Sequence, residues 1–298
     1  MSDVVFSYAD PSSPRLKRGL IRAVEVATGQ TKLRRLYLSH QSAPSSGESF
    51  WQAAIRLLAL DVLFDRAQLE AIPREGPVVI VANHPYGVLD GLIISWLAEQ
   101  VRSDFKVLTH SLLLRAPEAR PYLLPVDFSE TPEARCTNLA SRAAARDHLA
   151  AGGCLIVFPA GGISTAPDRF GRGAAVDAPW QPFTAQLIQR ARATVVPVRF
   201  AGQNSRLFQI ASHVSLTLRL SLIFREVKNR IGTAVGVSIG APVPFATLEQ
   251  IGDRRNVTVT LRGMVESLPK QDVSERPAAG LKRPGPFNRF KKRPPMAA

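Results

Sequence analysis

The sequence predicts an α/β protein with a mostly parallel central sheet, flanked by helices and preceded by an N-terminal helical pair. Three observations carry this prediction. Six short apolar runs, at 77–82, 105–109, 122–127, 154–158, 194–200 and 234–240, have the length and β-branched content of buried strands. Helical patterns lie between them, clearest at 89–102, 131–151 and 182–193. That alternation specifies strands joined by crossover helices, with both faces of the sheet covered. A chain of 298 residues with 45% hydrophobic content is long enough to bury such a core.

Taken in order, residues 14–38 read as a basic helical segment and 41–47 (QSAPSSG) as a loop. Phe50–Phe64 (FWQAAIRLLALDVLF) reads as a second helix, interrupted only by Gln52, Arg56 and Asp61. It is too apolar for a freely exposed helix, so it packs on the body or dips into a bilayer surface; packing on the body is the expectation. The run at 194–200 contains Pro197, which has no N–H for a central ladder and is therefore expected at a strand end or a sheet edge. Residues 215–231 are ambiguous, the first half alternating like a strand and the second reading as a helix that ends before Gly232. A last helix is expected over 245–268. From Pro269, six prolines and a basic run predict a disordered tail. The chain thus divides into a basic N-terminal segment (1–47), a catalytic body (48–268) and a basic, Pro-rich tail (269–298).

Composition narrows the function. The 2 cysteines, Cys136 and Cys154, make no disulfide framework and no metal-ligand spacing, so neither a metal nor a cofactor is expected. The opening residues lack the pattern of a signal peptide, and no run of 18 apolar residues occurs. The expected location is the cytoplasmic face of the cell membrane, on it rather than through it.

The net charge of +14 is uneven. Residues 15–35 set seven basic side chains against Glu25, and residues 270–298 set eight against Asp272 and Glu275, so each flank carries +6 and the middle only +2. A near-neutral body with basic flanks suits an anionic membrane surface, to which each Lys or Arg adds on the order of 1 kcal/mol. Solvated charge on a disordered tail is the plain alternative for 270–298. A non-catalytic nucleic-acid-binding protein would interleave aromatics with its basic residues. Here the 7% aromatic content lies in apolar segments, so no nucleic acid is expected.

The chemistry concentrates at three strand ends. Val78-Val-Ile-Val-Ala82 runs into Asn83-His84, a Pro85-Tyr86-Gly87 loop, and Asp90 inside the next apolar helix. This puts an imidazole at the carboxyl end of a strand, where open α/β sheets bind ligands. A carboxylate six positions on orients it, and no nucleophile stands beside the pair. Such a pair suits deprotonation of a substrate's own hydroxyl. Cys154-Leu-Ile-Val-Phe158-Pro159 likewise ends in a glycine turn, Ala160-Gly161-Gly162-Ile163-Ser164, whose N–H groups can hold an oxyanion or a phosphate. The third strand end is Val196-Pro197-Val198. His40, His110, His148 and His213 have no comparable company and read as structural or surface residues. The chain has no Gly-x-Ser-x-Gly elbow, no phosphate loop ending in Gly-Lys-Ser/Thr and no metal cluster. In Gln203-Asn204-Ser205-Arg206, a helix cap at Asn204 or Ser205 is expected, with Arg206 a candidate for substrate.

Asn83-His84 with Asp90, Phe158-Pro159-x-Gly161 and Val196-Pro197-Val198, in this order, resemble the glycerolipid acyltransferase superfamily that contains the lysophosphatidic acid acyltransferases. Within it the chain looks similar to the hemolysin-like and ornithine-lipid O-acyltransferase branch, over roughly residues 50–245. The resemblance implies His84 as general base and Asp90 as its orienting acid. It implies Asn83, Gly87, Phe158, Pro159, Ala160, Gly161, Gly162, Ser164 and Arg206 as substrate contacts. It implies a lysolipid acceptor and an acyl thioester co-substrate, on acyl carrier protein (ACP) or coenzyme A (CoA). Two departures matter. The usual first block is His-x-x-x-x-Asp, one residue shorter than here. The usual second block is Phe-Pro-Glu-Gly-Thr-Arg-Ser, in which the Glu and Arg bind glycerol phosphate; this chain has Ala160 and Ile163 there. An apolar Ile cannot pair with a phosphate. The expected acceptor is therefore a lyso-ornithine or related aminolipid, with 1-acylglycerol-3-phosphate as the alternative, and Arg169, Arg172 or Arg206 as possible substitutes for the missing arginine.

Overall fold

The computed structural model describes residues 15–42, 47–127, 129 and 131–271. Seven strands form: β1 (Asp61–Leu63), β2 (Val78–Ala82), β3 (Lys106–His110), β4 (Leu123–Val126), β5 (Cys154–Val157), β6 (Thr194–Phe200) and β7 (Ala234–Ile239). They lie in one sheet in the order β1-β7-β6-β2-β5-β3-β4. Only β6 and β7 run antiparallel; the remaining neighbours are parallel. The six strands expected from sequence are all present, so the α/β class and the mostly parallel sheet hold.

The helices differ more from expectation. The single N-terminal helix is two, α1 (Arg15–Thr28) and α2 (Gln30–Ser42), broken at Gly29, whose φ of 122° a side chain would not adopt. The next helix, α3 (Phe50–Leu57), begins at a capping box made by Ser49 and Gln52 and stops well short of Phe64. Its expected last turn is instead β1, which pairs with β7 in the register Asp61↔Ala234. Three ladder positions at the sheet edge outweigh the helical propensity of a short apolar run. α3 buries Trp51, Ala53 and Ile55 against the body, as expected.

The short α4 (Arg66–Glu70) then leads to β2. The crossover helices follow: α5 (Val88–Glu99), α6 (Pro132–Ala150) and α7 (Phe183–Ala191). Beyond β6 lie α8 (Arg206–Val214), α9 (Leu216–Ser221) and α10 (Ile223–Asn229), so the ambiguous 215–231 stretch forms two short helices and no strand. The last expected helix is split at Gly252 into α11 (Phe245–Glu249) and α12 (Arg254–Ser267).

Pro197 is not at an edge. It lies inside β6, a central strand, opposite Val81 of β2. The sheet tolerates it because the β6–β7 ladder ends at Val198↔Ile239 and resumes only at the bridge Val195↔Val243, one residue out of register. The proline nitrogen falls in that bulge, where no ladder bond is needed, while its carbonyl accepts from Gly240 N at 2.8 Å. Two residues of the expected tail pack on the body: Ser238 Oγ donates to Pro269 O at 2.6 Å, and Gln271 packs on Gly236. Residues 272–298, with most of the basic run, lie outside the described residues.

The sheet has a core on each face, which explains why β2 is apolar at every position. Val78, Ile80 and Ala82 face α3, α5, α8 and α10, while Val79 and Val81 face α6, α7 and α12. At the opposite end from the site, Arg102 clamps the sheet. It is 3% exposed, pairs with Asp104 at 2.7 Å, and donates to the carbonyls of Pro73, Gly76 and Gly152 just ahead of β2 and β5.

The topology also places the site. The chain leaves β2 through α5 on one face, and leaves the adjacent β5 through α7 on the other. Neighbouring strands whose connections depart in opposite directions open a crevice at their carboxyl ends. The loops after β2 and β5, which carry the first two sequence blocks, both end there.

Candidate active site

α5 begins at Gly87, in a conformation (φ 70°, ψ −114°) that belongs to glycine. This puts Asp90 in the first turn, pointing back at the loop it terminates. Its Oδ2 accepts from Tyr86 N at 2.8 Å and Gly87 N at 2.9 Å, satisfying N–H groups that the helix leaves unpaired. The same oxygen lies 3.1 Å from His84 Nδ1, with the N–H direction off line. The additional residue between His84 and Asp90 is thus absorbed in the turn at Gly87, and the pair still meets.

Burial pushes the fully buried Asp90 carboxyl above its ordinary range; His84 and the two backbone N–H groups oppose that shift. Oδ1 is buried with no partner. With Nδ1 beside the Asp90 carboxylate, the tautomer protonated at Nδ1 leaves Nε2 to accept a proton. The His84 side chain keeps 18% of its surface exposed, enough for a hydroxyl to reach it. Phe158, at the end of β5, packs on the imidazole with ring centroids 4.0 Å apart and planes inclined by 32°. The two blocks therefore meet at the crevice, as their positions at strand ends imply.

Several expected substrate contacts are engaged in holding this loop instead. The Asn83 side chain spends both ends on Phe200: Nδ2 donates to its carbonyl at 3.0 Å and Oδ1 accepts its N–H at 2.7 Å. It joins β2 to β6 just beyond their ladder. Ser164 is buried; its N–H donates to His84 O at 2.8 Å and its hydroxyl donates to Asp177. The Gly161 N–H is taken up by Phe158 O at 2.9 Å, closing the turn. Pro159 accepts from Gln181 N at 2.9 Å, and Ala160 packs on the α7 side of the sheet. Gly162 is a candidate donor in the turn: no backbone partner of its N–H occurs among the described residues, and a side chain there would meet open space. Arg206, at the start of α8, donates to Phe170 O at 2.9 Å, and the guanidinium groups of Arg169 and Arg172 lie over the Phe170 ring, so all three are engaged at the exposed Phe170 loop. Ser205, not Asn204, caps α8.

Three residues of the site escaped the sequence reading. Asp177 receives Ser164 Oγ, His84 N at 3.2 Å and Trp180 Nε1 at 2.9 Å, and so fixes the backbone of the histidine itself. It lies far along the chain in a loop with no motif, and only a buried indole three residues later hinted at it. Tyr86 is buried under Arg230 and donates its hydroxyl to Ala201 O at 2.8 Å, filling space that a side chain at Gly202 would occupy. Arg219 of α9 reaches the Ile163 carbonyl of the second block.

A cavity of about 170 Å³ lies beside α5 among α2, α3 and α10, lined by Tyr37, Trp51, Leu57, Val88, Leu92 and Val227 among others. Val88 follows the Gly87 turn directly, so the cavity adjoins the helix that carries Asp90. Among the described residues no group of His, Cys, Asp and Glu is arranged to hold a metal ion. No described helix is long and apolar enough to cross a membrane.

Comparison with known proteins agrees with the geometry. The chain is 28% identical over 220 residues to a lyso-glycine lipid O-acyltransferase of Bacteroides thetaiotaomicron, covering 71% of this chain and 76% of that protein. It is 26% identical over 213 residues to a protein of the same name from Phocaeicola vulgatus, covering 68% and 72%. Among solved structures, the 1-acyl-sn-glycerophosphate acyltransferase PlsC of Thermotoga maritima aligns over 83% of this chain and 85% of that one, at 17% identity and a TM-score of 0.45. A family model described as Acyltransferase matches residues 42–265, which takes in every strand, the His84–Asp90 pair and the glycine turn after β5. The chain belongs to that acyltransferase family.

Proposed function

We propose that this acyltransferase esterifies the free hydroxyl of a lysolipid whose head group is an N-acylated amino acid, using an acyl thioester of ACP or CoA as donor. The observation that carries the reading is the His84–Asp90 pair at the crevice, with the His84 side chain partly exposed; among the described residues no serine or cysteine side chain bonds its imidazole, the nearby Ser164 hydroxyl being given to Asp177. The acceptor hydroxyl gives its proton to Nε2 as its oxygen attacks the thioester carbonyl. Asp90 holds the tautomer and favours the imidazolium that forms. The tetrahedral intermediate collapses, and the departing thiolate takes that proton back. No acyl-enzyme is needed. In this reading the Gly162 N–H serves as a donor to the developing oxyanion.

The apolar cavity beside α5 supports a fatty acyl chain as the transferred group, since its walls are almost wholly hydrocarbon. The names of the two sequence relatives support a lyso-aminolipid acceptor. Lyso-glycine and lyso-ornithine lipids share what the site would meet: a hydroxyl on the amide-linked fatty acid, and a carboxylate a few bonds away. Both flanks, with their excess of basic residues, favour work at an anionic membrane surface.

The test is acyl transfer from labelled acyl-ACP and acyl-CoA to lyso-glycine lipid, lyso-ornithine lipid and lysophosphatidic acid, with His84→Ala alongside. Expected is product on the aminolipids, reduced about 10²–10⁴-fold in the folded variant. Product on lysophosphatidic acid alone refutes the acceptor class, and an undiminished His84→Ala refutes the base.

A further inference from the structure

Among the described residues Arg219 is a cation without a counter-ion. Its side chain is largely withdrawn from water, and that burial pulls its pKa below the ordinary arginine value with no carboxylate opposing the shift. Among the described residues it makes two contacts. One NH2 donates to the Ile163 carbonyl, and the guanidinium carbon lies 5.6 Å from the centre of the Phe208 ring. A guanidinium offers five N–H donors, and one carbonyl and one aromatic ring leave most of them unused. No acidic residue occurs between Asp177 and Glu226. The two bracketing acids are taken: Asp177 by His84 N, Ser164 and Trp180, and Glu226 by Ser205 and Arg225. Placing a charge in poor contact with water is unfavourable unless something pairs with it.

Its position says what would pair with it. Ile163, which it holds by the carbonyl, presses its side chain on the Gly87 turn between His84 and Asp90. The next residue, Ser164, donates its N–H to His84 O. The guanidinium is thus tied to the segment that supports the base. The phosphates of a CoA or ACP thioester lie a full pantetheine arm from the reacting carbonyl. An acceptor's head-group anion lies only a few bonds from the hydroxyl that His84 activates.

We infer that Arg219 binds the carboxylate of the acceptor head group and so selects lysolipids that carry an anion near the free hydroxyl. This rests on the acyl-transfer reading above. None of the arginines that the sequence put forward, Arg169, Arg172 or Arg206, has this placement. The fixed fork of the guanidinium suits two-point binding of a carboxylate, which an ammonium does not match.

The test offers the wild-type protein N-(β-hydroxyacyl)glycine and the matching glycinamide, in which a neutral amide of the same shape replaces the carboxylate. Arg219→Met and Arg219→Lys are measured beside it. Expected is a wild-type preference for the carboxylate of about 10- to 100-fold in kcat/KM, the range of charge-assisted hydrogen bonds. In Arg219→Met the preference disappears through a higher KM for the carboxylate acceptor, with a much larger loss on the carboxylate than on the amide and no change in the KM for the acyl donor. Arg219→Lys recovers part of the preference. If Arg219→Met does not fold, the wild-type comparison and the Lys variant decide. Equal wild-type use of the two acceptors overturns the assignment, as does a loss in Arg219→Met that is the same on both, since that marks a structural role. Acylation of lysophosphatidic acid alone overturns the carboxylate assignment together with the aminolipid acceptor. A wild-type protein that acylates none of these lipids refutes the acyl-transfer reading itself, a result distinct from every other outcome.

Discussion

Replacing Gly87 by alanine tests how the site is built, because two separate effects meet at that residue. Its φ of 70° and ψ of −114° lie where a side chain is strained, at a cost of about 1–3 kcal/mol. A Cβ there would stand 2.6 Å from Ile163 Cδ1 and 3.0 Å from its Cγ1, against about 3.5–4.0 Å for carbons in contact. Relieving such an overlap in a packed core costs about 1–3 kcal/mol more. The sum, about 2–6 kcal/mol, is a large share of a domain stability of about 5–15 kcal/mol. The Gly87 N–H also holds Asp90, so a displaced turn misaligns the His84 pair. A shift near 1 Å at a catalytic group costs about 100-fold in rate.

The assay is urea denaturation and acyl transfer on Gly87→Ala, Ile163→Val and the double variant. Ile163→Val removes the Cδ1 methyl alone and by itself costs about 0.5–1.5 kcal/mol. In the double variant the closer clash is gone, so the combined loss is smaller than the sum by about 1 kcal/mol or more. Strict additivity would refute the contact argument. A Gly87→Ala protein within about 0.5 kcal/mol of wild type, with full activity, would refute the whole account of the turn.

Two further outcomes follow from buried charge. Burial raises the pKa of Asp90, so folded protein binds its proton more readily than unfolded chain. That contribution to stability is fully present below the unfolded value and is lost as pH rises through the folded one. Asp90→Asn therefore melts no lower than wild type at neutral pH, the difference shrinking toward acid, while activity falls about 10²–10⁴-fold; a clearly lower melting temperature at neutral pH would contradict this. Arg102→Met removes a buried cation from Asp104 and three carbonyls and should destabilise by about 3–5 kcal/mol, with turnover per folded molecule unchanged; denaturation midpoints check it, and a loss under about 1 kcal/mol refutes the clamp.

How much of this was legible in the sequence follows from how local each cause is. The six strands from Val78 onward appear in the sequence because each packs apolar side chains on both faces of the sheet, fully buried in β2 and β5 and half-buried in much of β3 and β4, and an apolar run carries that information by itself. β1 escaped because an edge strand of three residues is decided by its pairing with Ala234–Gly236, not by its own composition. Pro197 misled for the same reason: whether a proline is tolerated in a central strand depends on a one-residue bulge in the partner β7, which β6 does not encode. Gly29 and Gly252 break helices whose apolar spacing reads straight through them.

The site divides along the same line. His84, Asp90 and Phe158 could be named from the sequence because each sits in or beside a short segment whose geometry is set locally, by a strand end and a helix start. Their meeting in space, with ring centroids 4.0 Å apart, depended on the order of the strands. The sheet places β5 beside β2 and sends their connections to opposite faces, opening the crevice where the two loops converge. Only the tertiary structure assigned Asn83 and Ser164 to holding the loop, recruited Asp177 to the backbone of His84, and put Arg219 on the carbonyl of Ile163. Each of these is a contact between residues distant in the chain, and a hydrogen bond across such a separation leaves no periodicity or spacing for the sequence to display.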